Sequence, residues 1–115
     1  MLRGVHFEFN KADIRPEDEP VLDEAADTLK SKANVSVYVD GYCDAIGSDE
    51  YNQELSERRS AAVAKYLEGK GIPASRLIPR GFGKTKFVAP NTNPDGSDNP
   101  DGRAQNRRVE LAPTS

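Results

Sequence analysis

The 115 residues contain one cysteine, one histidine and no tryptophan. With Cys43 alone, a disulfide framework and a cysteine-rich metal site are both excluded. With His6 as the only imidazole, a zinc site would consist almost wholly of carboxylates, a donor set zinc rarely accepts. No cofactor is expected. No stretch approaches the ~18 apolar residues of a membrane span, so direct membrane insertion of this domain is not expected. A basic excess is missing too: 16 Lys and Arg stand against 19 Asp and Glu, a net charge of −3. That is not the footprint of a nucleic-acid binder, whose affinity comes largely from neutralising phosphates. The opening MLRGVHFEFN has no apolar run and no small-residue cleavage site, so it does not read as a secretion signal. It reads as an initiator methionine before a strand, as in a domain cut from a longer parent.

What is present suits one soluble domain: 36 % hydrophobic and 30 % charged residues, in a chain long enough for one core. The expected domain is 1–115, with its core at about 4–111. Val5, Phe7 and Phe9 alternate with polar residues, the period of a half-buried strand. Pro16 with Glu17, Asp18 and Glu19 suits a helix start, with Pro20 in the same first turn. Val21, Leu22, Ala25 and Leu29 make its apolar stripe. Val35, Val37 and Val39 give a second strand ending at Gly41. After a loop at 41–47, Ser48 is a fitting N-cap for a long helix running to about Glu68. Residues 76–82 form a third strand, with Pro79 marking an edge or a bulge. Residues 90–102 are nearly all turn formers and are expected as a surface loop. Residues 107–111 make a last strand before a frayed tail, 112–115. The order β-α-β-α-β-β predicts an α+β sandwich: a mixed four-stranded sheet with two main helices on one face.

The long helix holds an anomaly. Its apolar stripe runs through Leu55, Ala62, Val63, Tyr66 and Leu67. Arg58 falls on the wet side with Glu54, Glu57 and Lys65. Arg59 does not, because it lies four residues after Leu55 and four before Val63. Asn52 points the same way, about 10 Å along the axis. A core-facing Arg needs a partner, since an unpaired buried charge is too costly to keep. Asp44, just past the end of the second strand, is the natural candidate. Two readings stay open. The pair closes a loop, or it recognises a zwitterion, with an ammonium on Asp44 and a carboxylate bidentate on Arg59. Arg107 and Arg108 alternate, so at most one joins such a pocket. Tyr42 contacts a ligand only if the pocket exists.

Around these residues the chain resembles a known family. Residues 41–63, G-Y-C-D-A-I-G-S-D-E-Y-N-Q-E-L-S-E-R-R-S-A-A-V, resemble the OmpA-like C-terminal signature, a T-D-x-x-G loop followed by N-x-x-L-S-x-x-R-A-x-x-V. The segments F-x-F-N-K-A-D-I (7–14), G-I-P-A-S-R-L (71–77), G-F-G (81–83) and G-R-A-Q-N-R-R-V-E-L (102–111) match in register. The resemblance implies a non-enzymatic, periplasmic module that binds peptidoglycan through the meso-diaminopimelate of its stem peptide, within an outer-membrane or envelope-associated parent. By the same resemblance Asp44 takes the ammonium and Arg59 the carboxylate. Asn52 contacts the stem, Leu55 lines the pocket and Arg107 is a second cation. The backbone at Phe9 and Asn10 forms a wall. Cys43 departs from the pattern: it stands where the family has Thr, and a thiol is the weaker hydrogen-bonding group.

Other classes fit less well. Glu8, Asp40 and Asp44 lie near strand ends, as a hydrolase would need, but no Ser-His or Cys-His pair accompanies them. A protein-interaction module with periplasmic partners, in which Asp44 and Arg59 form a structural ion pair, is the alternative. Asp95, Ser97, Asn99 and Asp101 have calcium-loop spacing, but Pro100 replaces the loop glycine and Asn106 the bidentate Glu, so a turn-rich insertion is expected.

Overall fold

Val37 and Val39 turn their side chains beneath the helices, while Tyr38 and Asp40, which alternate with them, face the other side of the sheet. The computed structural model describes residues 2–32 and 34–114. Readings that touch Met1 or Ser115, the initiator residue and the tip of the tail, lie outside the described residues.

Four strands form one sheet: β1 (Leu2–His6), β2 (Val37–Gly41), β3 (Leu77–Gly81) and β4 (Arg108–Pro113). Their order is β1-β4-β2-β3. β4 is antiparallel to both β1 and β2, and β2 is parallel to β3. The sheet is mixed, as expected, because β2 and β3 are joined through a helix and a parallel pair needs such a crossover. Pro79 lies on edge strand β3, where its missing N–H costs no ladder bond.

α1 (Glu19–Ser31) follows a 3-10 turn at Pro16–Asp18, which places Pro20 in the first turn of the helix. α2 (Asp49–Gly69) starts at Ser48, whose Oγ accepts from the Tyr51 N–H at 3.1 Å. Leu22, Ala25 and Leu29 of α1 join Val63, Ala64 and Leu67 of α2 over Val5, Val39, Val109 and Leu111 of the sheet. Both main helices therefore share one face and one core.

Three expectations are corrected. The first strand ends at His6 instead of continuing through Phe9: Asn10 has φ of +60°, the chain turns, and Phe9 is 52 % exposed. The loop expected to reach 102 gives way to a third helix, α3 (Pro100–Asn106), capped by the Asn99 side chain on the Gly102 N–H at 2.9 Å. The tail expected from 112 is strand through Pro113, because Ala112 and Pro113 find partners in Tyr38 and Val37.

The N-terminal half of α2 lies unusually close to the sheet. A Cβ on Gly41 would overlap the carbonyl of Ser56. Ser56 and Ser60, both buried on α2, turn their hydroxyls inward, Ser60 to the Val39 carbonyl and Ser56 to the Gln53 carbonyl. Glycine facing serine brings α2 down onto the end of β2, and that proximity sets the depth of Arg59.

Candidate functional site

A narrow cleft of about 10 Å³, room for about one water molecule, opens where β2 ends, beneath the loop that leads into α2. Asn10, Asp44, Asn52, Leu55, Arg59 and Arg107 line it, six of the seven residues singled out from the sequence. Phe9, Cys43, Ile46 and Tyr51 complete the wall. Four distant stretches of chain meet here, each brought by a different element.

Arg59 is wholly buried. Its Nε donates to the Lys11 carbonyl at 2.8 Å, Nη1 to the Tyr42 carbonyl at 3.1 Å and Nη2 to the Glu8 carbonyl at 3.2 Å. Nη1 also lies 3.5 Å from Cys43 Sγ, and the guanidinium carbon sits 5.3 Å from the centre of the Phe7 ring. Burial lowers its pKa, with the nearby Arg107 charge adding to the effect. Among the described residues it forms no ion pair with a carboxylate. The expected Asp44–Arg59 pair is thus corrected. Backbone carbonyls, whose dipoles can satisfy a guanidinium geometrically, take the place of the carboxylate, and Asp44 acts on the buried charge only from a distance.

Asp44, also buried, spends its oxygens elsewhere. Oδ1 accepts from the Ile46 N–H at 3.0 Å, holding the loop in a tight turn. Oδ2 accepts from Arg107 Nη1 at 3.1 Å and lies 3.8 Å from Arg103 Nη1. Arg107 Nε donates to the Phe7 carbonyl at 2.8 Å, so one side chain fixes both the acidic group and the chain just past β1. Arg108 points to the opposite face, over the Tyr42 ring at 3.8 Å. One of the two arginines joins the site, as alternation requires.

Asn52 donates its amide to the Ile46 and Ser48 carbonyls at 2.8 and 2.9 Å, so it holds the loop's shape. Tyr42 does not line the cleft. Its ring stacks on Phe82 at 5.2 Å on the far side of the sheet, and only its carbonyl reaches the site, through Arg59. Cys43 is buried between the two: Sγ donates to the Asn52 carbonyl at 3.3 Å and accepts from Arg59. Burial pushes this thiol up to about 11, so it stays protonated at neutral pH.

Sequence reasoning missed Arg103. It is on α3, bonded to Asp98 at 2.7 and 2.6 Å, and it extends the charge network from Asp44 outward. The signal was available: Asn99 before Pro100 is a cap followed by proline at the first helical position. Among the described residues no group of three or more His, Cys, Asp or Glu side chains is arranged to hold a metal. No helix among them is long and apolar enough to cross a membrane.

The family model of the OmpA family matches residues 6–101. A photosystem I chlorophyll a apoprotein of Gloeobacter violaceus is 48 % identical over 108 residues, covering 94 % of this chain and 12 % of that protein. Outer membrane protein A of Escherichia fergusonii is 44 % identical over 112 residues, covering 93 % of this chain and 46 % of that protein. The chain thus spans less than half the length of either relative. Among solved structures, the peptidoglycan-associated lipoprotein from Burkholderia pseudomallei superposes with a TM-score of 0.85 at 28 % identity, covering 97 % of this chain and 90 % of that one.

Proposed function

This chain belongs to the OmpA family, and from that premise we propose that it binds peptidoglycan non-covalently, through the diaminopimelate of the stem peptide, and so anchors a parent protein to the cell wall. Such a ligand places the domain in the periplasm, in an outer-membrane or envelope-associated parent. One observation carries the reading: Arg59 is buried at the cleft with no carboxylate in direct contact among the described residues. A site that keeps such a charge is poised for an anion.

The far end of a diaminopimelate side chain is an amino-acid group, with an ammonium and a carboxylate on one carbon. The carboxylate would supply Arg59 with a counter-ion in direct contact. It would meet that residue through its charge and the Nη2 hydrogen not given to Glu8, rather than through the two-bond fork expected of a free guanidinium. The ammonium would share Oδ2 of Asp44 with Arg107. Leu55 would pack against the methylene carbons between the two ends of the ligand, and Asn52 would act by holding the loop that carries Asp44. A lysine stem lacks the second carboxylate. It would leave Arg59 without a carboxylate in contact, as in the free protein.

The test is calorimetric titration with diaminopimelate-containing and lysine-containing stem peptides. The wild type should bind the first saturably and the second at least about thirtyfold more weakly, the lower end of what a desolvated, unpaired charge costs. Asp44→Asn, which keeps the shape of the side chain, should lose most of the binding. Equal affinity for the two stems, or no binding by a folded wild type, would sink the proposal. Arg59 is the poorer target, because its removal strands the carbonyls of Glu8, Lys11 and Tyr42 at about 1–3 kcal/mol each.

A further inference from the structure

Two asparagines outside the cleft tie the end of α3 to the loop that carries Asp44. Asn106, wholly buried, accepts from the Val88 and Ala89 N–H groups through Oδ1 and donates through Nδ2 to Asn91 Oδ1 at 3.0 Å. Asn91 Oδ1 also accepts from the Ala45 N–H at 3.2 Å. Backbone N–H groups can only donate, so they fix which way both amides face, and the chain Asn106–Asn91–Ala45 has one orientation. The main chain of Asn91 is held as well: its carbonyl accepts from the N–H of Asn99, the cap of α3, at 3.1 Å. Asn91 is thus fixed at both ends of α3 and reaches from there to the peptide bond that follows Asp44. The residue after Asn106 is Arg107, whose Nη1 holds Asp44 Oδ2 at 3.1 Å. One point on the chain therefore fixes Asp44 twice, its side chain through Arg107 and its main chain through Asn91.

We propose that Asn91, which does not line the cleft, is a positioning residue for it: by holding the Asp44–Ala45 peptide, Asn91 keeps the Asp44 carboxylate turned toward an incoming ammonium. The proposal rests on the reading of the cleft given above. Arg107 alone leaves this carboxylate on a hinge, because a side chain fixed at its tip still turns when its own backbone turns. Asp44 Oδ1 is taken by the Ile46 N–H, a bond within the same loop, so it moves with the loop and cannot anchor it. Asn52 and Lys84 grip the loop farther along, at the Ile46 and Gly47 carbonyls. Asn91 grips it at the residue next to Asp44. That bond is exposed and Asn91 itself is half-buried, so water can replace the acceptor and the fold survives its loss. Water cannot fix the peptide in place, and position is what is lost.

Titration with the diaminopimelate-containing stem peptide and amide hydrogen exchange in the free protein test this together, on the wild type, Asn91→Ala and Asn91→Asp. Asn91→Ala should bind about fivefold more weakly, the loss expected of one hydrogen bond. Asn91→Asp, whose carboxylate accepts both bonds, should bind within about twofold of wild type at about 0.3 M salt, where the added charge is largely screened. The Ile46 amide, bonded to Asp44 Oδ1, reports where that carboxylate sits. Its exchange should quicken several-fold in Asn91→Ala and recover in Asn91→Asp, while the amides of β2 keep their rates. Asn91→Gln, which keeps an amide one methylene out of place, is the second disabling variant and should behave as Asn91→Ala does. Wild-type affinity in folded Asn91→Ala and Asn91→Gln would overturn the proposal. So would weakened binding that Asn91→Asp shares, or weakened binding with faster exchange throughout β2, since Asn91 would then act on the fold as a whole. Failure of the wild type to bind the stem peptide at all would remove the reading of the cleft and this proposal with it.

Discussion

Cys43 shows how much a single atom can carry at this site. Its thiol bridges the Asn52 carbonyl and the Arg59 guanidinium, and burial raises its pKa from 9.0 to about 11. A raised folded-state pKa stabilises the folded form below pH 9, where the thiol is protonated in both states. Between 9 and 11 the unfolded thiol ionises first, and that contribution is lost. Wild-type stability in urea should therefore fall by about 2–3 kcal/mol more than that of Cys43→Ser across this interval. Equal pH profiles for the two proteins would show that the thiol ionises as freely inside as outside. At this scale the sequence was half legible. The place of Arg59 on a buried stripe followed from its spacing to Leu55 and Val63. Its partners did not, because they are backbone carbonyls of Glu8, Lys11 and Tyr42, and a carbonyl carries no mark of its residue type.

Among the elements, α1, α2 and β2 could be read from periodicity and caps, and the structure places them within a few residues of those readings. Helix α3 offered only its start, the Asn99 cap before Pro100, since P-D-G looks like a turn until something holds it as a helix. Asn106 does the holding: buried at the helix end, it accepts from the Val88 and Ala89 N–H groups and donates to the Ala89 carbonyl and Asn91 Oδ1. Those ties span 15 to 18 residues, beyond the reach of a local pattern. Gly102 makes the close approach possible, because a Cβ there would overlap the carbonyl oxygen of Pro90. Gly102→Ala should cost about 1–3 kcal/mol by overpacking, measured by thermal denaturation. It should also shift Arg103 away from Asp44. An unchanged melting temperature would mean that α3 can rest elsewhere on the surface without loss.

On the scale of the whole molecule, one apolar cluster joins residues of both main helices and all four strands. We therefore expect the chain to unfold as a single unit, with far-ultraviolet circular dichroism and tyrosine fluorescence giving the same urea midpoint. Separate midpoints would divide the chain into parts that fold apart. The α+β class and the mixed sheet were readable from element order, but the strand order was not, since hydrophobic period says which face is buried and nothing about which neighbour is chosen. That neighbour choice has a consequence in time. β4, last in the chain, lies between β1 and β2, and β1 has no other partner in the sheet. Among the four strands, β1 therefore cannot join the sheet until β4 is in place. Arg107, which reaches both the Phe7 carbonyl and Asp44, arrives with that final strand. The wall of the cleft and the closure of the sheet are therefore completed together, in one step of folding.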